Sequence, residues 1–278
     1  MKIQNQILSE NESRTLLLQD KVAVVFGAAG ALGSKIASVF SHEGASVFLS
    51  GRRLDPIEKV SRQIRVANGK ADAAEVDALN EGAVNSYLDR VVAQAGRIDI
   101  VYNAVGPQAI EYDNTKPAIE VSYEKFPIPL NTYVVSNFLT ARAAARHMLP
   151  RHSGVILFIT GTPSRGLAHV SAIGTAMGAI ESMMRCFAQE WSPSGVRVIC
   201  VRSGGMSDTR TIQQSIEIGA RTMGITREQF AEELKHSYLL RRQPVSDDTA
   251  NIMAFMASDR ANTITGAIIN ATCGHAID

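Results

Sequence analysis

The 278-residue sequence has no tyrosine between Tyr133 and Tyr238 and no lysine between Lys125 and Lys235. Whatever chemistry the middle of the chain carries, no phenol and no ammonium group contributes to it from there. Cysteine is scarce as well. Cys186, Cys200 and Cys273 lie far apart, without a CxxC pair or a paired-histidine spacing. That removes support for a metal site or a disulfide framework and points to a reducing, cytoplasmic setting. Charge of one sign is missing too: the formal net charge is +1 with no basic block, so nothing recommends nucleic acid or an anionic membrane surface as a partner. No apolar run approaches the length of a membrane span. Residues 1–15, MKIQNQILSENESRT, read as a polar extension without the apolar core of a signal peptide.

What is present is an alternation of short apolar runs with longer amphipathic stretches. KVAVVFG (Lys21–Gly27), ASVFLSG (Ala45–Gly51), IDIVYNA (Ile98–Ala104), GVILFIT (Gly154–Thr160) and GVRVICV (Gly195–Val201) each predict a buried strand. A weaker strand is expected at Ala73–Val76 and a last one at GAIINA (Gly266–Ala271). Helical patterns lie between them, such as ALGSKIASVFSHEG and EGAVNSYLDRVVAQAG, the second closed by a C-cap glycine. Strands alternating with helices require right-handed crossovers, so the expected fold is α/β: a doubly wound, parallel, seven-stranded Rossmann-type sheet with helices on both faces, in one domain spanning 16–278. Two segments break the rhythm, Val105–Pro127 and the insertion Gly204–Asp247 with its helical run REQFAEELKHSYLL. Both follow the carboxyl ends of strands, where such sheets bind ligands, and the second reads as a substrate lid.

The turn after the first strand is rich in glycine. Gly27, Gly30 and Gly33, with Ala29, Ala31 and Leu32 between them, let the chain turn tightly and bring a pyrophosphate against the N-terminus of the next helix. At the end of the second strand a carboxylate would select a free ribose hydroxyl and a cation a 2′-phosphate. Here Gly51 is followed by Arg52 and Arg53, which predicts NADP(H) as the preferred cofactor with NAD(H) possible; a solvated surface pair is the other reading of the two arginines.

In this order the landmarks resemble the compact branch of the short-chain dehydrogenase/reductase family, over nearly the whole chain from about Leu16. The family's TGxxxGxG turn corresponds to Phe26–Gly33, with Phe26 for threonine and Ala31 for the middle glycine. The resemblance implies that Asp77 meets the adenine and that Asn103 and Ala104, followed by Val105 and Gly106, lie along the adenosine and ribose. It also implies that Ser203 and Gly204 replace a Pro-Gly facing the nicotinamide. The family's chemistry rests on Asn, Ser, Tyr and Lys: tyrosine moves the proton, lysine holds the nicotinamide ribose and lowers the phenol's pKa, serine orients the substrate oxygen. Counted back from Glu190 by the family's spacing, the lysine position is Met177 and the tyrosine position Ile173. The serine position falls on Thr160 and the asparagine on Tyr133, which is expected on a helix reaching the same site.

Neither isoleucine nor methionine transfers a proton or carries a charge. Thr160 and Tyr133 are therefore the candidate catalytic residues, Tyr133 reading either as a substitute proton donor or as a packing residue; His169 reads as a loop histidine. Two functions follow. One is an NADP(H)-dependent oxidoreductase acting on a small apolar carbonyl or enone. The other is a cofactor-binding protein without turnover, a redox sensor or partner subunit. The small residues Ala141, Ala144 and Ala145 and the nearly uncharged stretch Ala176–Met184 lie on the two helices that family members pair across a twofold axis, so a homotetramer is expected.

Overall fold

A computed structural model of the chain describes residues 16–278; the polar extension lies outside the described residues. Seven parallel strands form one sheet in the order β3-β2-β1-β4-β5-β6-β7. They are β1 (Val22–Phe26), β2 (Ser46–Gly51), β3 (Lys70–Glu75), β4 (Ile100–Asn103), β5 (Gly154–Gly161), β6 (Val196–Ser203) and β7 (Ile268–Ala271). β1 and β4 are buried at every position, as expected of central strands covered on both faces. β3 starts earlier than the sequence suggests, at Lys70. It is an edge strand, half exposed along KADAAE, so no apolar run marks it.

The helices are α1 (Ala31–His42), α2 (Leu54–Val66), α3 (Glu81–Ala95), α4 (Pro127–Pro129), α5 (Val135–Met148), α6 (Ser171–Trp191), α7 (Arg210–Met223), α8 (Arg227–His236) and α9 (Ser246–Ala257). One core joins α1, α2 and α9 to the sheet through Ile36, Phe40, Ile57 and Met253. The other joins α3, α5 and α6 through Leu88, Ala144, Ile180 and Phe187, so the sheet is doubly wound. Asn80 caps α3 by accepting a hydrogen bond from Ala83 N at 3.0 Å, and Gly96 closes it at φ 78°.

The segment 204–247 is a helical hairpin of α7 and α8. Its contact is made possible by Gly219: a Cβ there would lie 2.4 Å from the Phe230 ring. The helical run expected from Arg227 ends at His236, and α7 precedes it. Tyr133 does not lie on a regular α-helix but in a π-helical turn, Leu130–Val134, between α4 and α5. Among the described residues no helix is long and apolar enough to cross a membrane.

Candidate active site

The carboxyl ends of β1, β4, β5 and β6 bring Gly27, Asn103, Gly161 and Ser203 to one edge of the sheet. The glycine-rich turn is shaped by contact. Gly27 has φ 70°, and a Cβ on it would sit 2.9 Å from the Ala104 carbonyl carbon. A Cβ on Gly33 would lie 2.4 Å from Gly27 O. Ala28 N donates to Ser50 O at 3.0 Å, tying the turn to β2. Ala29, Gly30 and Ala31 are exposed and Leu32 is half-buried. Gly30 caps α1 without a side chain, and the first turn holds no acidic residue, so its N–H groups stay open to an anion.

Arg52 and Arg53 follow β2, exposed, with no hydrogen bond or ion pair among the described residues. Asp77, also exposed, accepts from Leu79 N at 3.0 Å. Asn103 is buried: its amide donates to Ser136 Oγ at 3.0 Å, and its Oδ1 accepts from Val105 N at 2.8 Å, which fixes the Ala104–Gly106 segment. Gly106 lies beneath the Tyr133 ring, where a Cβ would come within 2.2 Å of Cε1. The glycine turn, the open helix terminus and the unpartnered arginines fit the adenosine and phosphate half of a dinucleotide.

The other half of the cleft is apolar. Tyr112, Ala172 and Ile173 form a buried cluster against which Phe126, Ile128, Tyr133, Val170 and Met177 pack. Met177 Sδ accepts the Gly161 N–H at 3.1 Å. The residue of β5 that faces Met177 is Gly161, whose Cβ would lie 3.4 Å from the sulfur, and not Thr160. Thr160, expected at the serine position, turns its side chain the other way. Its hydroxyl donates to Glu181 Oε1 at 3.0 Å, within a buried network where Arg202 Nε and Nη2 donate to the same carboxylate at 2.9 and 3.0 Å. Ser164 adds a hydrogen bond to Glu181 at 2.6 Å, and Arg202 also pairs with Asp278. Burial works against ionisation of Glu181, but the hydrogen bonds from Arg202, Ser164 and Thr160 outweigh it and hold the carboxyl below its usual value.

Sequence reading missed Glu181 and Arg202 altogether. A glutamate one helical turn beyond Met177 on a buried face, and an arginine inside a strand otherwise made of Val, Ile and Cys, were the signals that could have found them. Ser203 donates to Gly204 O at 3.1 Å and contacts the Thr249 hydroxyl at 3.1 Å, while Gly204 is hemmed in by Tyr238, Pro244 and Thr272. His169 is exposed in a loop, at φ 65°. The Tyr133 phenol is pushed up to about 12 by burial, with the charge of Glu111 adding to it, so it carries its proton at neutral pH. Its hydroxyl has no hydrogen-bond partner among the described residues.

Comparison with known proteins agrees with this architecture. The family model described as enoyl-(acyl carrier protein) reductase matches residues 27–276. The peroxisomal 2,4-dienoyl-CoA reductase [(3E)-enoyl-CoA-producing] of Pongo abelii is 27% identical over 260 residues, covering 93% of this chain and 84% of that protein. The 1,6-dihydroxycyclohexa-2,4-diene-1-carboxylate dehydrogenase of Acinetobacter baylyi is 26% identical over 256 residues, covering 92% and 96%. Among solved structures, an NAD+-bound xylitol dehydrogenase superposes with a TM-score of 0.85 at 24% identity, covering 93% of this chain and 99% of that one. An actinorhodin polyketide ketoreductase with NADPH gives 0.84 at 20%, covering 92% and 97%. The strand order, the glycine-rich turn under α1 and a family match from Gly27 to Ala276 lead to one conclusion: this chain belongs to the short-chain dehydrogenase/reductase family.

Proposed function

We propose that this oxidoreductase uses NADP(H) to reduce the conjugated C=C bond of a small apolar enone or acyl thioester. The observation that carries the reading is the Tyr133 phenol: protonated, without a protein partner among the described residues, and packed against the cluster of Tyr112, Ala172 and Ile173, the last of which stands at the family's proton-donor position. When bound, the reduced dinucleotide supplies a hydride. Addition to the far carbon of a conjugated bond leaves negative charge on the substrate's carbonyl oxygen, a single neutral donor at that oxygen stabilises it, and the α carbon then takes a proton from solvent to complete the reduction. A saturated ketone instead needs full proton transfer to oxygen as it is reduced, which a strong acid–base pair serves better. Tyr133 would orient the carbonyl, and Ile173, Met177 and Tyr112 would exclude water and favour an apolar acyl chain. The names of the Pongo abelii relative and of the matching family model, both reductases of conjugated double bonds, support this choice.

For the cofactor, Arg52 and Arg53 favour the 2′-phosphate and no carboxylate competes at Gly51; NADH remains a weaker alternative. Three free thiols, one of them exposed, fit a reducing compartment such as the cytoplasm. A second reading, cofactor binding without turnover, is favoured by the engaged hydroxyl of Thr160 and the loss of both acid–base groups. Single-turnover oxidation of bound NADPH, with α,β-unsaturated thioesters and saturated ketones offered in parallel, separates the two. Reduction of the unsaturated substrates alone is expected, and Tyr133→Phe should slow it about 10²-fold. If no substrate of either kind oxidises NADPH, the second reading stands.

A further inference from the structure

A tyrosine buried in a protein ordinarily finds a hydrogen-bond partner for its hydroxyl. Tyr112 has none. It is 2% exposed and clusters with Ala172 and Ile173, and its hydroxyl makes no hydrogen bond among the described residues. Phenylalanine would pack at position 112 equally well without stranding a donor. The hydroxyls of Tyr87 and Tyr102 are also unpartnered, but both are sealed in the core. Those of Tyr112 and Tyr133 are not sealed, and the two residues pack together in the apolar half of the cleft. Both are held from behind. Gln108 N donates to Glu111 Oε1 at 2.6 Å, which fixes the turn before Tyr112. Asp113, next in the chain, accepts from Ser122 N and Lys125 Nζ at 3.1 Å each and pairs with Lys116 at 2.9 Å, stapling 113–125 into a closed loop. Tyr133 is set by its π-helical turn and by Gly106, whose missing Cβ leaves room for the ring. Burial pushes the Tyr112 phenol up, and the charges of Tyr133 and Glu111 add to it. The two hydroxyls thus lie near enough to feel each other's charge, and both keep their protons at neutral pH. They make no hydrogen bond to one another, so both are free to donate.

We propose that Tyr112 is a second hydrogen-bond donor to the substrate's carbonyl oxygen, so that Tyr112 and Tyr133 together form an oxyanion site beside Ile173. This rests on the conjugated reduction proposed above and extends it to a residue outside the family's catalytic positions. Two neutral donors fixed before the substrate arrives stabilise an enolate oxygen without reorganising as its charge develops. No cation lowers the pKa of either phenol, so the pair stabilises charge on oxygen rather than surrendering a proton to it. The substrates it suits are those whose carbonyl oxygen becomes an enolate oxygen during the reaction. Tyr112 therefore does more than keep water out: its ring closes the apolar wall and its hydroxyl meets the reacting oxygen.

The test compares the full chain with Tyr112→Phe and Tyr133→Phe in two assays. One is turnover of an α,β-unsaturated thioester with NADPH. The other is binding of p-nitrophenol in the presence of NADP+, where the absorbance of the bound phenolate reports an oxyanion held by donors. Tyr112→Phe should lower kcat about 10²-fold with a much smaller change in KM, and should weaken phenolate binding roughly tenfold. Its melting temperature and NADPH affinity should match wild type, which separates a lost donor from lost packing. Where wild type turns over, a kcat for Tyr112→Phe within about threefold of it overturns the proposal and leaves the conjugated reduction intact. Where wild type oxidises no NADPH, the reduction reading falls and the phenolate decides alone. Weaker phenolate binding by Tyr112→Phe then upholds the oxyanion site, and equal binding, or none by wild type, overturns it.

Discussion

Two glycines of the phosphate turn have separable duties. Gly33 is set by packing: a Cβ at 2.4 Å from the Gly27 carbonyl oxygen forces the backbone to move. Gly30 is different. Its φ of −72° suits any residue and its Cβ would meet Gly27 O at an ordinary 3.4 Å, so only a ligand needs that position bare. Gly33→Ala should therefore lower stability by about 1–3 kcal/mol. Gly30→Ala should melt with the wild type yet bind NADPH at least about tenfold more weakly, a loss of about 1.4 kcal/mol. Melting curves and calorimetry on the two variants check this; wild-type affinity in Gly30→Ala would mean that the phosphates do not sit at this turn. The same scale explains why the expected position of Thr160 and its place in the fold differ. Counting along the chain to Thr160 assumes a fixed loop length before α6, whereas one step along β5 moves a side chain from the Glu181 side to the Met177 side.

Within β5, β6 and α6 the ion pair of Arg202 and Glu181 is the main polar fastening, its side chains 2% and 7% exposed. Removing one partner leaves a buried charge, so Arg202→Met or Glu181→Gln should cost about 3–5 kcal/mol, while replacing both by apolar residues of like volume should cost much less. The pH dependence follows from the lowered pKa of Glu181. A carboxyl whose folded value lies below its unfolded 4.5 contributes fully above pH 4.5, and that stability is lost as the pH falls through the folded value. Urea midpoints measured between pH 7 and pH 3 should fall more steeply for wild type than for Glu181→Gln; equal slopes would show that the pair does not couple to protonation.

The elements also show what a linear sequence conceals. Five strands were legible because each is a short Val- and Ile-rich run buried on both faces. β3 was blurred because an edge strand does not need one. α7 was missed because its one-sided face, with only Ile216 and Ala220 buried, sits in a polar insertion. The π-helical turn that carries Tyr133 inserts a residue that no hydropathy period reveals.

At the scale of the molecule, α5 leaves apolar side chains uncovered. Val135 and Phe138 are 40% and 38% exposed, and Phe138 continues inward to Phe187, which stacks on Trp191 at 4.1 Å between centroids. Ala141 and Ala145 lie on the buried side of α5, against this chain's own core. We expect a homo-oligomer, a tetramer built from two dimers, with this face at a twofold interface. Light scattering at micromolar concentration should give four chains, and Phe138→Glu should lower the number; a monomeric wild type would refute the assignment.

The bond from Gly161 N–H to Met177 Sδ decides what position 177 can hold. Lysine at 177 alone would offer donors to a donor, stranding the Gly161 N–H and an ammonium in an apolar wall. Tyrosine at 173 alone would crowd Tyr112 and Ala172 and find no cation to lower its pKa. Each single step back toward the family's catalytic pair is thus worse than standing still. Installing a tyrosine–lysine pair here would therefore take both substitutions together with new packing around Tyr112 and a new partner for the Gly161 N–H: the wall behaves as a latch that one key does not open.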